Sequence, residues 1–399
     1  MPRWLLGLVV ALPFAVASSA LGWSPLITFA LAAVALVPLA GVIGEATEVL
    51  AERLGSTLGG LLNATFGNAA ELIIGLFALA AGLQDVVRAA IAGSVIGNSL
   101  LVLGTSMLVG GWRHRLQRFN AAAAGQYASL LALAVAGLVV PTIVSWLGGA
   151  FAAGVDAPSA DAMARLSVGI AVLLLLSYGA YLAHAVFGVR AAPSGAADER
   201  ALLAEIAAAR ERVAKAAQGS APTTSAAPGA KAAPGWRAAR VWLPPGKTPL
   251  AALLWLAGAT ALTAVASEAL VGAIEPVAHT IGLSPFFIGL IVLPIVGNAA
   301  EHASAISMAR RDDMSAALAI TAGSAIQVAL FLAPVLVIAS VLMGQPLTLT
   351  FIPLELAIFA LVALLFPLIC LDGESTWLEG LQLVVFYVIV AAGAFVIPH

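Results

Sequence analysis

Gly67-Asn68-Ala69-Ala70-Glu71 and Gly297-Asn298-Ala299-Ala300-Glu301 are the same five residues, written twice in one chain of 399. Five identities mean little in an alanine-rich protein, so the flanks decide. Gly93-Ser94-Val95-Ile96 follows the first motif as Gly323-Ser324-Ala325-Ile326 follows the second, each Gly-Ser lying 26 residues after its motif's glycine. Upstream, Thr47-Glu48-Val49-Leu50 answers Ser267-Glu268-Ala269-Leu270. Three landmarks in the same order predict two homologous halves.

The sequence around the motifs is apolar. Hydrophobic residues make up 62% of the chain and charged residues 10%, and mean hydropathy is +1.05. A soluble protein of this length needs far more polar surface. The apolar runs reach the roughly 20 residues that cross a bilayer as a helix, and they lack the alternation of a barrel strand. The chain therefore reads as an all-α polytopic membrane protein. Net charge is −2, so no basic face argues for nucleic acid. The lone Cys370 forms no intrachain disulfide. Arg3 followed by Trp4–Leu21 has the look of a signal peptide, but a short Gly-Trp-Ser-Pro turn leads into the next apolar run, so a first span is expected.

Eleven spans are expected, near 4–21, 25–53, 58–82, 86–110, 120–147, 163–188, 250–276, 285–309, 315–343, 350–370 and 377–397. Turn and charge signals mark the breaks, among them Gly55–Ser56, Gln84–Asp85, Gly282–Ser284 and Gly344–Pro346. Residues 191–248 differ in kind: 198–218 reads as a short soluble helix, and the Ala/Pro/Gly/Thr-rich remainder as a flexible tether. The expected organisation is an extra helix over 1–22, a five-helix repeat over 23–190, a cytosolic linker over 191–248, and a second five-helix repeat over 249–399. Lys and Arg gather on one side, at Arg3, Arg53, Arg113, Arg115, Arg118, Arg190, the linker, Arg310 and Arg311. The other side has only Arg88 and Arg165. The bias puts the N-terminus in the cytoplasm and the C-terminus outside. Five is odd, so two copies in series lie in the membrane with opposite orientation, an arrangement that places a substrate site near the midplane where the copies meet.

The motif carries the chemistry. Glu71 and Glu301 fall inside spans, where an ionised carboxylate costs about 2.5–3.5 kcal/mol on insertion scales. No Lys or Arg lies mid-span to neutralise them, so they must hold protons or bind a cation. Hard cations take oxygen ligands. The two glutamates as metal ligands, the amides of Asn68 and Asn298, and backbone carbonyls freed by a local break at the small residues can supply them. Each asparagine stands three positions before its glutamate, a spacing that would share one helical face. Cation and protons then compete for the same oxygens.

Around this centre stand weaker candidates for supporting or gating roles. They are Glu48, Glu268, Ser94, Asn98, Ser324, Gln327 and His302, for which packing or simple solvation is the competing account. Glu45, Glu52 and Glu275 read as interfacial. Pro141, Pro294, Pro334 and Pro367 suggest kinks. No GxSxG, HExxH or buried aspartate pair is present, so no enzyme is expected, and no cofactor apart from the transported ion.

GNAAELIIGLFAL from Gly67, GNAAEH from Gly297 and GSVIGNSLLVLG from Gly93 resemble the calcium/proton exchangers of the calcium/cation antiporter superfamily. The resemblance covers nearly the whole chain outside 191–248. It implies eleven spans, with one extra N-terminal helix and two inverted five-helix repeats. It further implies that Glu71 and Glu301 alternate between calcium and protons while polar residues of neighbouring helices complete the site. One departure stands out. The family's central cytosolic helix is often acidic, whereas here Asp198, Glu199, Glu205 and Glu211 are offset by Arg200, Arg210, Arg212 and Lys215, so a calcium-sensing role is not carried over. The expected partners are calcium and protons as substrates, within a bilayer read as a bacterial inner membrane. Sodium, potassium or manganese as the ion, and a passive cation channel, are the rival readings.

Overall fold

A computed structural model of the chain describes residues 7–150, 158–187, 248–370 and 372–397. A 3-10 turn at Gly7–Val10 leads into α1 (Ala11–Ala20), followed by α2 (Pro25–Phe66), α3 (Ala69–Ala80), α4 (Gln84–His114), strand β1 (Leu116–Arg118), α5 (Ala121–Ala150) and α6 (Ala160–Phe187). After the segment 188–247 come α7 (Pro249–Gly272), α8 (Ile274–Ile281), α9 (Pro285–Gly297), α10 (Ala299–Ala309), α11 (Met314–Leu342), α12 (Pro353–Cys370), β2 (Glu374–Thr376) and α13 (Trp377–Val396). Among the described residues eight helices are long and apolar enough to cross a membrane, or nine if the bent pair α8–α9 counts as one span. The expected helix over 198–218 lies outside the described residues. By compactness the chain parts into Met1–Ala180 with Val241–His399, and Tyr181–Arg240. Of the second unit only the last residues of α6 are described.

Local chemistry sets the ends. Ser284 caps α9 by accepting from Phe287 N at 3.1 Å, with Pro285 at the first helical position. Asp313 caps α11 through Ala316 N at 3.0 Å. Thr376 and Glu379 form a reciprocal capping box at the start of α13. Gly282, at φ +69°, ends α8 in the left-handed conformation that favours glycine. The strands β1 and β2 pair antiparallel, Gln117 opposite Ser375, and join the α4–α5 loop to the α12–α13 loop.

Three expected boundaries are corrected. Gly55–Ser56 is no break: the helix hydrogen bonding of α2 continues through it to Phe66, because glycine and serine permit a turn without forcing one. The interruption falls instead inside the motif, at Gly67–Asn68, and its counterpart at Asn298 divides the expected span 285–309 into α9 and α10. The span expected from 350 starts at Pro353, and 345–352 has no regular secondary structure, with alternate residues buried from Leu347 to Phe351. There Leu347 and Leu349 are fully enclosed. Side chains supply the hydrogen bonds that such a backbone requires. Ser340 Oγ accepts from Leu347 N, Ser167 Oγ from Leu349 N, and Thr142 Oγ1 from Phe351 N while donating to Leu349 O.

Helix α7 packs along α2, α13 along α4, and α12 along α5, while α10 lies against α4 and α11. Small residues make the closest crossings. A Cβ on Gly104 of α4 would lie 2.7 Å from Leu383 Cβ and 2.9 Å from Gly380 O of α13. Three wide π-helical stretches interrupt the central helices, at Gly97–Val102 in α4, Ile288–Val292 in α9 and Val328–Leu332 in α11. Such turns are rare in ordinary helices and frequent at functional sites.

Candidate ion-binding site

The two motifs fold alike. Asn68 (φ −105°, ψ 28°) and Asn298 (φ −96°, ψ 9°) leave the helical region and stand at the N-caps of α3 and α10. Their carbonyls accept the first helical bonds, from Leu72 N at 3.0 Å and His302 N at 2.9 Å. Glu71 and Glu301 therefore sit in the first turn of a helix, where the partial positive charge of unsatisfied N–H groups favours an anion. Each asparagine of the expected pair thus stands at the helix break itself, with its glutamate three positions on in the first turn.

The side chains of each motif reach into the other half of the chain. Asn298 Nδ2 donates to Glu71 Oε1, to Pro294 O at 3.2 Å and, at the limit of 3.5 Å, to Ser94 Oγ. Ser94 Oγ in turn donates to Glu71 Oε1 at 2.8 Å. On the other side Asn68 Nδ2 donates to Gln327 Oε1 at 2.8 Å, and Asn68 Oδ1 accepts from Ser324 Oγ at 3.3 Å. Asn98 Nδ2 donates to Ser324 Oγ at 2.9 Å. Asn298, Glu71 and Ser94 thus form one hydrogen-bonded group and Asn68, Gln327, Ser324 and Asn98 another; with Glu301, in the first turn of α10, they make up the polar cluster carried by α3, α4, α10 and α11.

Close packing brings the two motifs together. A Cβ on Gly297 would stand 2.8 Å from Glu71 Cγ, so the glutamate of the first motif lies directly over the glycine of the second. Glu301 stands in the first turn of α10, three residues after the Asn298 that is bonded to Glu71. Its Oε2 is buried and has no hydrogen-bond partner among the described residues, as is true of Asn98 Oδ1. Buried oxygens of this kind are rare in folded proteins and call for an explanation. A cluster rich in acceptor oxygens, with two carboxylates and, among the described residues, no basic side chain bonded to either, has the donor set that hard cations take. Beside it a cavity of about 20 Å³, lined by Glu71 and Ser94 and otherwise by apolar side chains such as Ile74, Ile91 and Leu336, has room for about one water.

Other expected residues stand apart. His302 follows Glu301 on α10, partly buried, and its ring makes no hydrogen bond among the described residues. Glu48 and Glu45 are partly buried on α2, while Glu52, Glu268 and Glu275 are exposed. Among the described residues no hydrogen bond joins His302, Glu48, Glu52, Glu268 or Glu275 to the cluster. Glu355, not among the expected site residues, is 2% exposed in the first turn of α12. Its Oε2 accepts from Ile352 N at 2.9 Å and its Oε1 is buried without a partner among the described residues. The signal was a single acid two residues after Pro353 in an otherwise apolar run, a pattern of helix starts.

The chain is similar to known proteins along nearly its whole length. The sequence profile of the sodium/calcium exchanger proteins matches residues 24–187 and 251–396. The chain is 39% identical over 396 residues to a Ca(2+)/H(+) antiporter of Synechocystis, covering 98% of this chain and 96% of that protein. It is 37% identical to the Ca(2+)/H(+) antiporter ChaA of Bacillus subtilis, with 96% of each chain covered. Among solved structures, native YfkE superposes with a TM-score of 0.75 at 35% identity, over 98% of this chain and all of that one.

Proposed function

The chain belongs to the sodium/calcium exchanger family, and on that premise we propose that it is a secondary antiporter exchanging calcium for protons by alternating access. In this reading it has eleven spans, an extra N-terminal helix and two inverted five-helix repeats. Its N-terminus lies in the cytoplasm and its C-terminus outside a bacterial inner membrane. The observation that carries the proposal is the pair of glutamates at two helix breaks, Glu71 bonded to Ser94 and Asn298 and Glu301 with a buried unpartnered oxygen, neither bonded to a base among the described residues. The names of the relatives, Ca(2+)/H(+) antiporters at 37–39% identity, supply the choice of ion.

The chemistry follows from charge. Two adjacent carboxylates repel each other unless a cation or protons lie between them. Two protons or one divalent cation neutralise the pair, and both use the same oxygens, so binding of one displaces the other. Asn298 and Ser94 hold Glu71 in place, and Asn68, Asn98 and Ser324 offer neutral oxygens to a cation. Broken helices at the site add the partial charges of their ends. Exchange follows when the site, loaded with either substrate, is exposed in turn to the two sides.

The test is calcium uptake into vesicles under an imposed pH gradient. Glu71→Gln and Glu301→Gln are expected to fold and to lose exchange. Retained proton-coupled uptake in both variants refutes the assignment. Competition by sodium, potassium or manganese in the same assay fixes the ion, and flux without proton coupling would make the protein a channel.

A further inference from the structure

A second polar site lies at the far end of α10. Arg113 from the last turn of α4 and Arg310 and Arg311 from the end of α10 surround a pocket of about 360 Å³, together with Ala303, Ile306 and Ser307. All three arginines are exposed, and none forms an ion pair among the described residues. The nearest carboxylates in sequence are engaged elsewhere. Asp312 Oδ1 accepts from Gln117 Nε2 at 3.0 Å, and Asp313 Oδ1 caps α11 at Ala316 N. A single cation suffices to complement a helix C-terminus, yet three converge here on one pocket.

The depth of the pocket is marked independently. Trp112, next to Arg113, is 78% exposed and meets the 42% exposed Trp377 edge to face, with ring centroids 6.3 Å apart. Exposed indoles beside arginines are the mark of the headgroup level of a bilayer. The pocket wall is also amphiphilic: guanidinium groups and the Ser307 hydroxyl suit a phosphate, and Ala303 and Ile306 suit the carbon atoms beside it. Basic pockets between helices on the arginine-rich side of membrane proteins take anionic lipid headgroups in this way.

We propose that the pocket formed by Arg113, Arg310, Arg311 and Ser307 binds the headgroup of an anionic phospholipid, with its phosphate held by the guanidinium groups. The inference goes beyond ion exchange and needs only that the protein lies in a bilayer. Because α10 carries Glu301 in its first turn and two of the arginines at its end, a bound lipid braces the helix that holds the acid.

Native mass spectrometry of the delipidated full chain, titrated with phosphatidylglycerol, phosphatidylcholine or inorganic phosphate, tests the proposal. The wild type is expected to retain phosphatidylglycerol in preference to phosphatidylcholine. Affinity for phosphatidylglycerol should fall roughly fivefold for each arginine changed to glutamine, and about a hundredfold for R113Q/R310Q/R311Q. Arg165→Gln, a charge removed from the exposed start of α6, should leave it unchanged. An equal loss in R165Q, unchanged retention in a folded triple variant, or binding of inorganic phosphate with no preference for anionic lipid would each overturn the proposal.

Discussion

Gly297→Ala places one methyl group against the glutamate of the other motif. The new Cβ would stand 2.8 Å from Glu71 Cγ, where ordinary contact begins at 3.4 Å, so the glutamate must retreat by about 0.6 Å. It cannot retreat freely, since Glu71 Oε1 is held by Ser94 at 2.8 Å and by Asn298. A shift of that size takes the Ser94 bond to the edge of useful geometry. Overpacking of this kind costs about 1–3 kcal/mol, so exchange is expected to fall roughly five- to hundredfold. Gly323→Ala is the matched control, because a Cβ there meets nothing within 4 Å, and it removes the helix cost of glycine. Calcium uptake into proteoliposomes under a fixed pH gradient, normalised to folded protein, measures both. The reasoning fails if the folded G297A and G323A variants transport equally well.

Two further predictions concern stability. Glu355→Ala removes the acceptor that caps α12 at Ile352 N and should cost about 0.5–2 kcal/mol, while Glu355→Gln keeps an acceptor and should cost less; thermal unfolding of the solubilised protein ranks the two, and equal midpoints would count against a capping role. Gly380→Ala puts a Cβ 2.6 Å from the carbonyl oxygen of Gly104, a backbone atom that cannot swing aside. The α4–α13 crossing must therefore open, at a cost of about 1–3 kcal/mol, read as a lower midpoint in the same experiment.

Much of the architecture was legible because it rests on local signals. Ser284-Pro285, Asp313 and the Thr376–Glu379 pair start helices where the sequence puts them. Repetition pointed to Glu71 and Glu301 without any knowledge of their neighbours. Gly55–Ser56 misled because a glycine allows a turn but does not require one, whereas Gly67–Asn68 does break the chain. That misplacement also hid the geometry of the asparagines, since periodicity assigns faces only within a continuous helix. The bonds from Asn68 to Gln327 and from Asn298 to Glu71 join residues more than 220 positions apart, and no pattern along the chain encodes them. Glu355 escaped notice because a lone acid beside a proline carries no repeat to draw attention to it.

The bond between Asn298 and Glu71 has a consequence for how the protein is made. The two residues are 227 positions apart, and at 5–20 residues per second a ribosome needs roughly 10–45 s to get from one to the other. Through that interval Ser94, synthesised 23 residues after Glu71, is the one described partner the acid can already have. Asn68 has to wait longer, for Ser324 and Gln327. The nascent chain therefore keeps an unfinished polar centre until its second motif and the helix after it are made, and only α12 and α13 remain to be synthesised once every partner of the ion site exists.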